Sequence, residues 1–83
     1  MKVSISGDTM TVDLHGLNIP AAKQRLETLL QNAAPGIHQI VVIHGHRGGS
    51  ALRDMVRTDL QSPRIQRIAP AFSAGQTVIF LRS

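Results

Sequence analysis

Two segments of this 83-residue chain have the same form, and together they restrict the fold sharply. Met10-Thr11-Val12-Asp13-Leu14 alternates apolar and polar residues, ends in His15-Gly16 and runs into a helix-like stretch. Ile37-His38-Gln39-Ile40-Val41-Val42-Ile43 is the most apolar run. It ends in His44-Gly45-His46-Arg47-Gly48-Gly49-Ser50 and again meets a helix-like stretch. A strand, helix, strand order in so short a chain implies parallel pairing through a right-handed crossover. Neighbouring parallel strands end on one rim, about 5 Å apart, and ligands of open parallel sheets bind beyond that rim.

The remaining elements follow from periodicity and breakers. Residues 2–5 alternate weakly and form an optional edge strand before the Gly7-Asp8 turn; residues 9–14 are the first firm strand. Asn18 caps a helix with Pro20 in its first turn and an apolar stripe of Ile19, Ala22, Leu26, Leu29, Leu30 and Ala33. Pro35-Gly36 stops it. Residues 37–43 form the central strand, expected to be buried on both faces. Ser50 caps a second helix with Leu52, Met55, Val56 and Leu60 as its stripe, ended by Ser62-Pro63. Residues 64–68 form a strand, 70–76 a loop and 77–81 a last strand antiparallel to its predecessor. The expected fold is an α/β two-layer sandwich, βαβαββ, with a mixed four-stranded sheet, an optional fifth strand at the amino end, and both helices on one face. The chain is read as one domain over residues 1–83.

Composition narrows the function classes. Hydrophobic residues are 42% of the chain, enough for a packed core, while aromatics are 2%. The scarcity of rings argues against base recognition by aromatic stacking. Nine Lys and Arg against five Asp and Glu give a net charge of +4, which favours a polyanionic partner such as nucleic acid. There is no cysteine, so thiol chemistry is excluded and the cytoplasm is the expected compartment. No apolar run approaches a membrane span.

The two His-Gly turns carry the chemistry. Asp13, His15 and His44 are the candidate catalytic residues, because imidazoles can serve as proton donor and acceptor near neutral pH and a carboxylate can orient one of them. Gly16, Gly45, His46, Arg47, Gly48, Gly49, Arg53 and Arg57 are the candidate phosphate-binding residues. Convergence of the loops would place one carboxylate, up to three imidazoles and Arg47 in one shallow cleft. The same groups also suit binding without cleavage. His38 reads as structural, and Arg64 and Arg67 as surface charge. The spacing lacks a tight metal motif. No metal or other cofactor is expected, with a divalent ion left open.

These residues resemble a known family. Val-Asp-Leu-His-Gly at 12–16, His-Gly with a Gly-rich turn at 44–49, Ala-Leu-Arg at 51–53 and Gly-Gln-Thr-Val-Ile-Phe-Leu at 75–81 are similar to the small MutS-related (Smr) domain. The resemblance runs from Thr11 to Leu81 and departs in the second loop, which is one residue longer and has Arg47 where a glycine is usual. It implies a sandwich like the carboxyl-terminal domain of a bacterial translation initiation factor. It also implies nucleic-acid binding, with endonuclease activity on RNA or DNA in several members and action at stalled ribosomes in others. The chain reads as a stand-alone version, monomeric or weakly homo-oligomeric. Its expected function is nucleic-acid binding with phosphodiester cleavage, and the alternative is a non-catalytic nucleic-acid- or ribosome-binding module.

Overall fold

The computed structural model of the chain describes residues 1–45 and 50–82. Five strands form one mixed sheet: β1 (Lys2–Ser6), β2 (Thr9–Asp13), β3 (Gln39–Ile43), β4 (Ile65–Pro70) and β5 (Gln76–Leu81), in the order β1-β2-β3-β5-β4. Helix α1 (Ile19–Asn32) links β2 to β3, and α2 (Ala51–Asp54) continues into a π-helical turn (Met55–Asp59) before β4. The expected sandwich is present. The optional leading segment is a full strand, so the sheet has five members rather than four. Gly7, at φ 61, opens the β1–β2 hairpin, while Asp8 stays at negative φ. That is the pattern of a type II′ turn, whose twist suits adjoining strands.

The core is aliphatic and lies on one side of the sheet. Val12, Ile40, Val42 and Ile79 from the strands meet Ala22, Leu26 and Leu30 from α1 and Val56 from the π-helical turn, all fully buried. Asn18 Oδ1 accepts the Ala21 amide at 2.9 Å, which caps α1 as expected. At its other end Arg64 donates to the Leu30 and Ala33 carbonyls at 3.3 Å. Arg64 is therefore a helix-end partner, not mere surface charge, and it complements the negative end of the dipole.

Four expectations need correction. β3 is buried on one face only: Ile40 and Val42 are buried, whereas Gln39, Val41 and Ile43 are half-exposed. Its run looked two-sided because Val41 and Ile43 are aliphatic, yet they lie on a sheet face that no helix of the described residues covers. β4 runs to Pro70, which tolerates a strand because it lies on an edge. Ser50 precedes α2, but its hydroxyl donates to the Asp54 carboxylate at 3.0 Å rather than capping the backbone. The second helix is α-helical for only one turn. There Thr58 Oγ1 donates to the Asp54 carbonyl at 2.6 Å, occupying the acceptor that the Thr58 amide would take in an α-helix. Such back-bonding distorts helices and suits the wider π turn.

Candidate nucleic-acid interface

The two His-Gly turns do share a rim. β2 and β3 pair in parallel with Asp13 opposite Ile43, and the Leu14 amide donates to the Ile43 carbonyl at 2.9 Å. On the other side of β3, the His44 and Gly45 amides both donate to the Gly75 carbonyl at 3.0 Å, at the start of β5. His15, Gly16, His44 and Gly45 thus lie at one end of the sheet. His46, Arg47, Gly48 and Gly49 lie outside the described residues.

Strand parity separates the side chains, however. Asp13 alternates with Val12 and Leu14, which are in the core, so its carboxylate belongs to the helix-free face. There it lines an open cavity of about 440 Å³ with Lys2, Val3, Ser4, Thr11 and Ile43. His44 has the parity of Ile40 and Val42 and turns into the helix-covered side, where it is buried. Asp13 and His44 share a rim but not a face, and the single cleft expected to hold them together is corrected accordingly. Lys2, opposite Asp13 in the β1–β2 register, is a neighbour that patterning did not flag.

Asp13 organises the first turn. Its Oδ1 accepts the His15 amide at 2.9 Å, and the Leu17 amide donates to the Leu14 carbonyl at 3.0 Å. This Asx-type turn leaves the His15 side chain exposed. Gly16 and Gly45 sit at φ 85 and 79, backbone that L side chains rarely adopt. Among the described residues a Cβ on either would meet nothing within 4 Å, so the substitution cost expected there is conformational. Gly45→Ala is expected to destabilise the fold by about 1–2 kcal/mol, read as a lower urea midpoint at unchanged slope. An unchanged midpoint would show that the loop relaxes out of this conformation.

His44 anchors the second turn through a buried chain of hydrogen bonds. Its Nδ1 lies 2.8 Å from the Gly45 carbonyl and its Nε2 2.8 Å from Thr77 Oγ1. Arg57 Nε donates to the same Thr77 oxygen at 3.0 Å. A carbonyl only accepts, so Nδ1 carries the proton. Nε2 then accepts the Thr77 O–H, whose oxygen in turn accepts from Arg57. The neutral ring satisfies every member, because a second proton on Nε2 would leave the Thr77 hydroxyl hydrogen without an acceptor among the described hydrogen bonds. Burial pushes the His44 pKa below 6.5, the Arg57 and Arg53 charges push the same way, and the Gly45 hydrogen bond opposes them. Thr77, fully buried, is the residue that sequence reasoning missed. Its parity with Ile79 and Leu81 was the available signal.

This arrangement has a pH consequence. The unfolded chain binds a proton at His44 more readily than the folded one, so stability is fully present above pH 6.5 and falls as pH drops toward the lower folded value. The unfolding midpoint of wild type should decline through that window more steeply than that of His44→Gln, whose amide does not titrate. Parallel profiles for the two proteins would contradict a neutral, buried His44.

The two helix arginines make different contacts. Arg53 Nε pairs with Asp54 Oδ1 at 3.3 Å in an exposed contact of small energetic weight. Arg57 turns toward Thr77, and among the described residues its two terminal nitrogens have no hydrogen-bond partner. Among the described residues no three His, Asp or Glu side chains form a metal-sized group, and no helix is long and apolar enough to cross a membrane.

The Smr domain family model matches residues 12–82. Among solved structures, the crystal structure of the Smr domain of Thermus thermophilus MutS2 is similar with a TM-score of 0.77 and 33% identity, over 88% of this chain and 98% of that one. No match was found among curated proteins.

Proposed function

The chain belongs to the Smr domain family, and from that premise we propose that it binds nucleic acid along the rim where β2 and β3 end and cleaves phosphodiester bonds there, RNA ahead of DNA. What supports the reading is the Asp13–Ile43 register, which brings an exposed imidazole, two glycine turns and Arg57 to one end of a basic domain.

In this reading His15 is the catalytic residue that takes a proton from the attacking oxygen. Asp13 fixes the turn that presents it. His44, with both ring nitrogens engaged, positions the second turn and is not itself the acid or base. Gly16, Gly45, Gly48 and Gly49 supply backbone approach, and His46, Arg47, Arg53 and Arg57 supply positive charge or hydrogen bonds to the phosphate. RNA leads because its 2′-oxygen is an internal nucleophile, already held beside the phosphorus. Its proton passes to His15 as the oxygen bonds phosphorus. The 5′-oxygen then leaves and collects a proton from a second donor or from water.

A second reading is a module that binds nucleic acid or the ribosome without cutting. It is favoured by the engagement of His44, which leaves one free imidazole rather than two at the rim among the described residues. Incubation with structured RNA and supercoiled DNA, with and without EDTA, separates the readings. Products from wild type support cleavage, and binding without products supports the module. Either way, the logarithm of the binding constant should fall linearly with log salt, and Arg53→Gln should reduce the magnitude of that slope by about 1. Salt-independent binding would exclude a phosphate-based contact.

A further inference from the structure

The two edges of the sheet are built differently. β4 is guarded: it carries Pro70, a register irregularity between Ile65 and Arg67, and Arg67 itself, whose guanidinium stacks 4.2 Å above the Phe80 ring. Proline, bulges and charge are the devices that prevent one sheet edge from pairing with another. β1 has neither proline nor bulge, and its regular five-residue register with β2 leaves its other edge open. Every residue of β1 is exposed. Met1, Val3 and Ile5 account for three of the four exposed large apolar side chains in the described structure, at 39, 42 and 60% exposure. The Smr family match begins at residue 12, so β1 lies outside it.

We infer that β1 is a self-pairing edge, through which two copies of this chain join antiparallel into one continuous sheet. The occupant follows from the pattern of the strand itself. In an antiparallel pair about a two-fold axis, opposed residues share a face, and only centring on Ser4 engages all five residues of both strands. Ser4 then faces Ser4 of the second copy, Val3 faces Ile5, and Ile5 faces Val3. Two apolar cross-strand pairs form on one face, each of a kind that stabilises sheets. Lys2 faces Ser6, so no like charges are opposed. The amino terminus and Lys2 of each copy approach the Gly7-Asp8 turn of the other, bringing positive charge to the Asp8 carboxylate. The strand is complementary to itself in hydrogen bonding, apolar pairing and charge. A single edge strand buries little area, so the dimer is weak and concentration-dependent.

The inference does not rest on the chemistry of the rim, and its test is separate. Sedimentation equilibrium should show wild type approaching twice the monomer mass as concentration rises toward the millimolar range. Ile5→Lys should remain monomeric, and Val3→Glu with Ile5→Lys should dimerise again through two opposed charge pairs. The chain has no cysteine, so single thiols report the register cleanly. Under mild oxidation, Ser4→Cys should cross-link at least about tenfold faster than Lys2→Cys, because only the first pair is held opposed. Monomer mass for wild type throughout, or equal cross-linking rates for the two thiols, would overturn the inference.

Discussion

His15→Ala is expected to cleave structured RNA about 100- to 10,000-fold more slowly than wild type, the usual contribution of a positioned proton-transfer group, with little change in affinity. His15 is exposed and its side chain makes no hydrogen bond among the described residues, so the variant should fold with stability within about 0.5 kcal/mol of wild type. Two companions make the result specific. Asp13→Asn keeps an oxygen to accept the His15 amide while removing the charge. It should retain most activity if Asp13 acts by holding the turn, and lose it if the carboxylate acts electrostatically on the imidazole. His44→Gln can still accept the Thr77 hydroxyl, and it should reduce the rate less than His15→Ala does, because His44 is proposed to position rather than to transfer a proton. Should His44→Gln abolish cleavage while His15→Ala leaves it intact, the roles assigned to the two imidazoles would be reversed. Single-turnover rates at saturating protein are the appropriate readout, since they separate the chemical step from binding.

How far the site could be read from the chain depends on what each residue's signal encodes. The parallel β2–β3 pair was legible because alternation at Met10–Leu14 and the apolar run at 37–43, separated by a helical stripe, leave few topologies. Asn18 was legible for the same local reason, since capping depends on a side chain three residues from its partner. The one-sided burial of β3 was not read correctly. Val41 and Ile43 have the chemistry of core residues, although a two-layer sandwich with both helices on one face already leaves the other face of the sheet without a helix. The orientation of His44 was legible in principle, because it follows Val42 by two, yet a His-Gly turn draws attention to chemistry before parity. Thr77 carried no local signal beyond its alternation. Its importance comes from meeting Arg57, twenty positions earlier, and that contact depends on a π-helical turn that no periodicity announces.

Thr77→Val probes the long-range contact most directly, and it is expected to be the most destabilising single change at the rim. The substitution keeps the branched shape and puts a methyl where the hydroxyl was, so the main change is in hydrogen bonding. What is lost is the donor to His44 Nε2 and the acceptor for Arg57 Nε. Leaving the buried imidazole nitrogen without a partner costs about 1–3 kcal/mol. The half-exposed Arg57 can recover water and adds less. Thr77→Ser supplies the contrast: it keeps the hydroxyl and removes one methyl, and should cost less than Thr77→Val. If Val proves no worse than Ser in urea unfolding, the hydroxyl is not what holds the chain of bonds together. The imidazole nitrogens offer an independent readout. In wild type their nitrogen-15 shifts should report a neutral ring protonated on Nδ1 at neutral pH, and Thr77→Val should move the Nε2 resonance most. A ring protonated on Nε2 would reverse the His44–Thr77 bond and remove the Nδ1 bond to the Gly45 carbonyl while Arg57 still donates, and it would overturn the argument that His44 holds the second turn rather than exchanging protons with a bound phosphodiester.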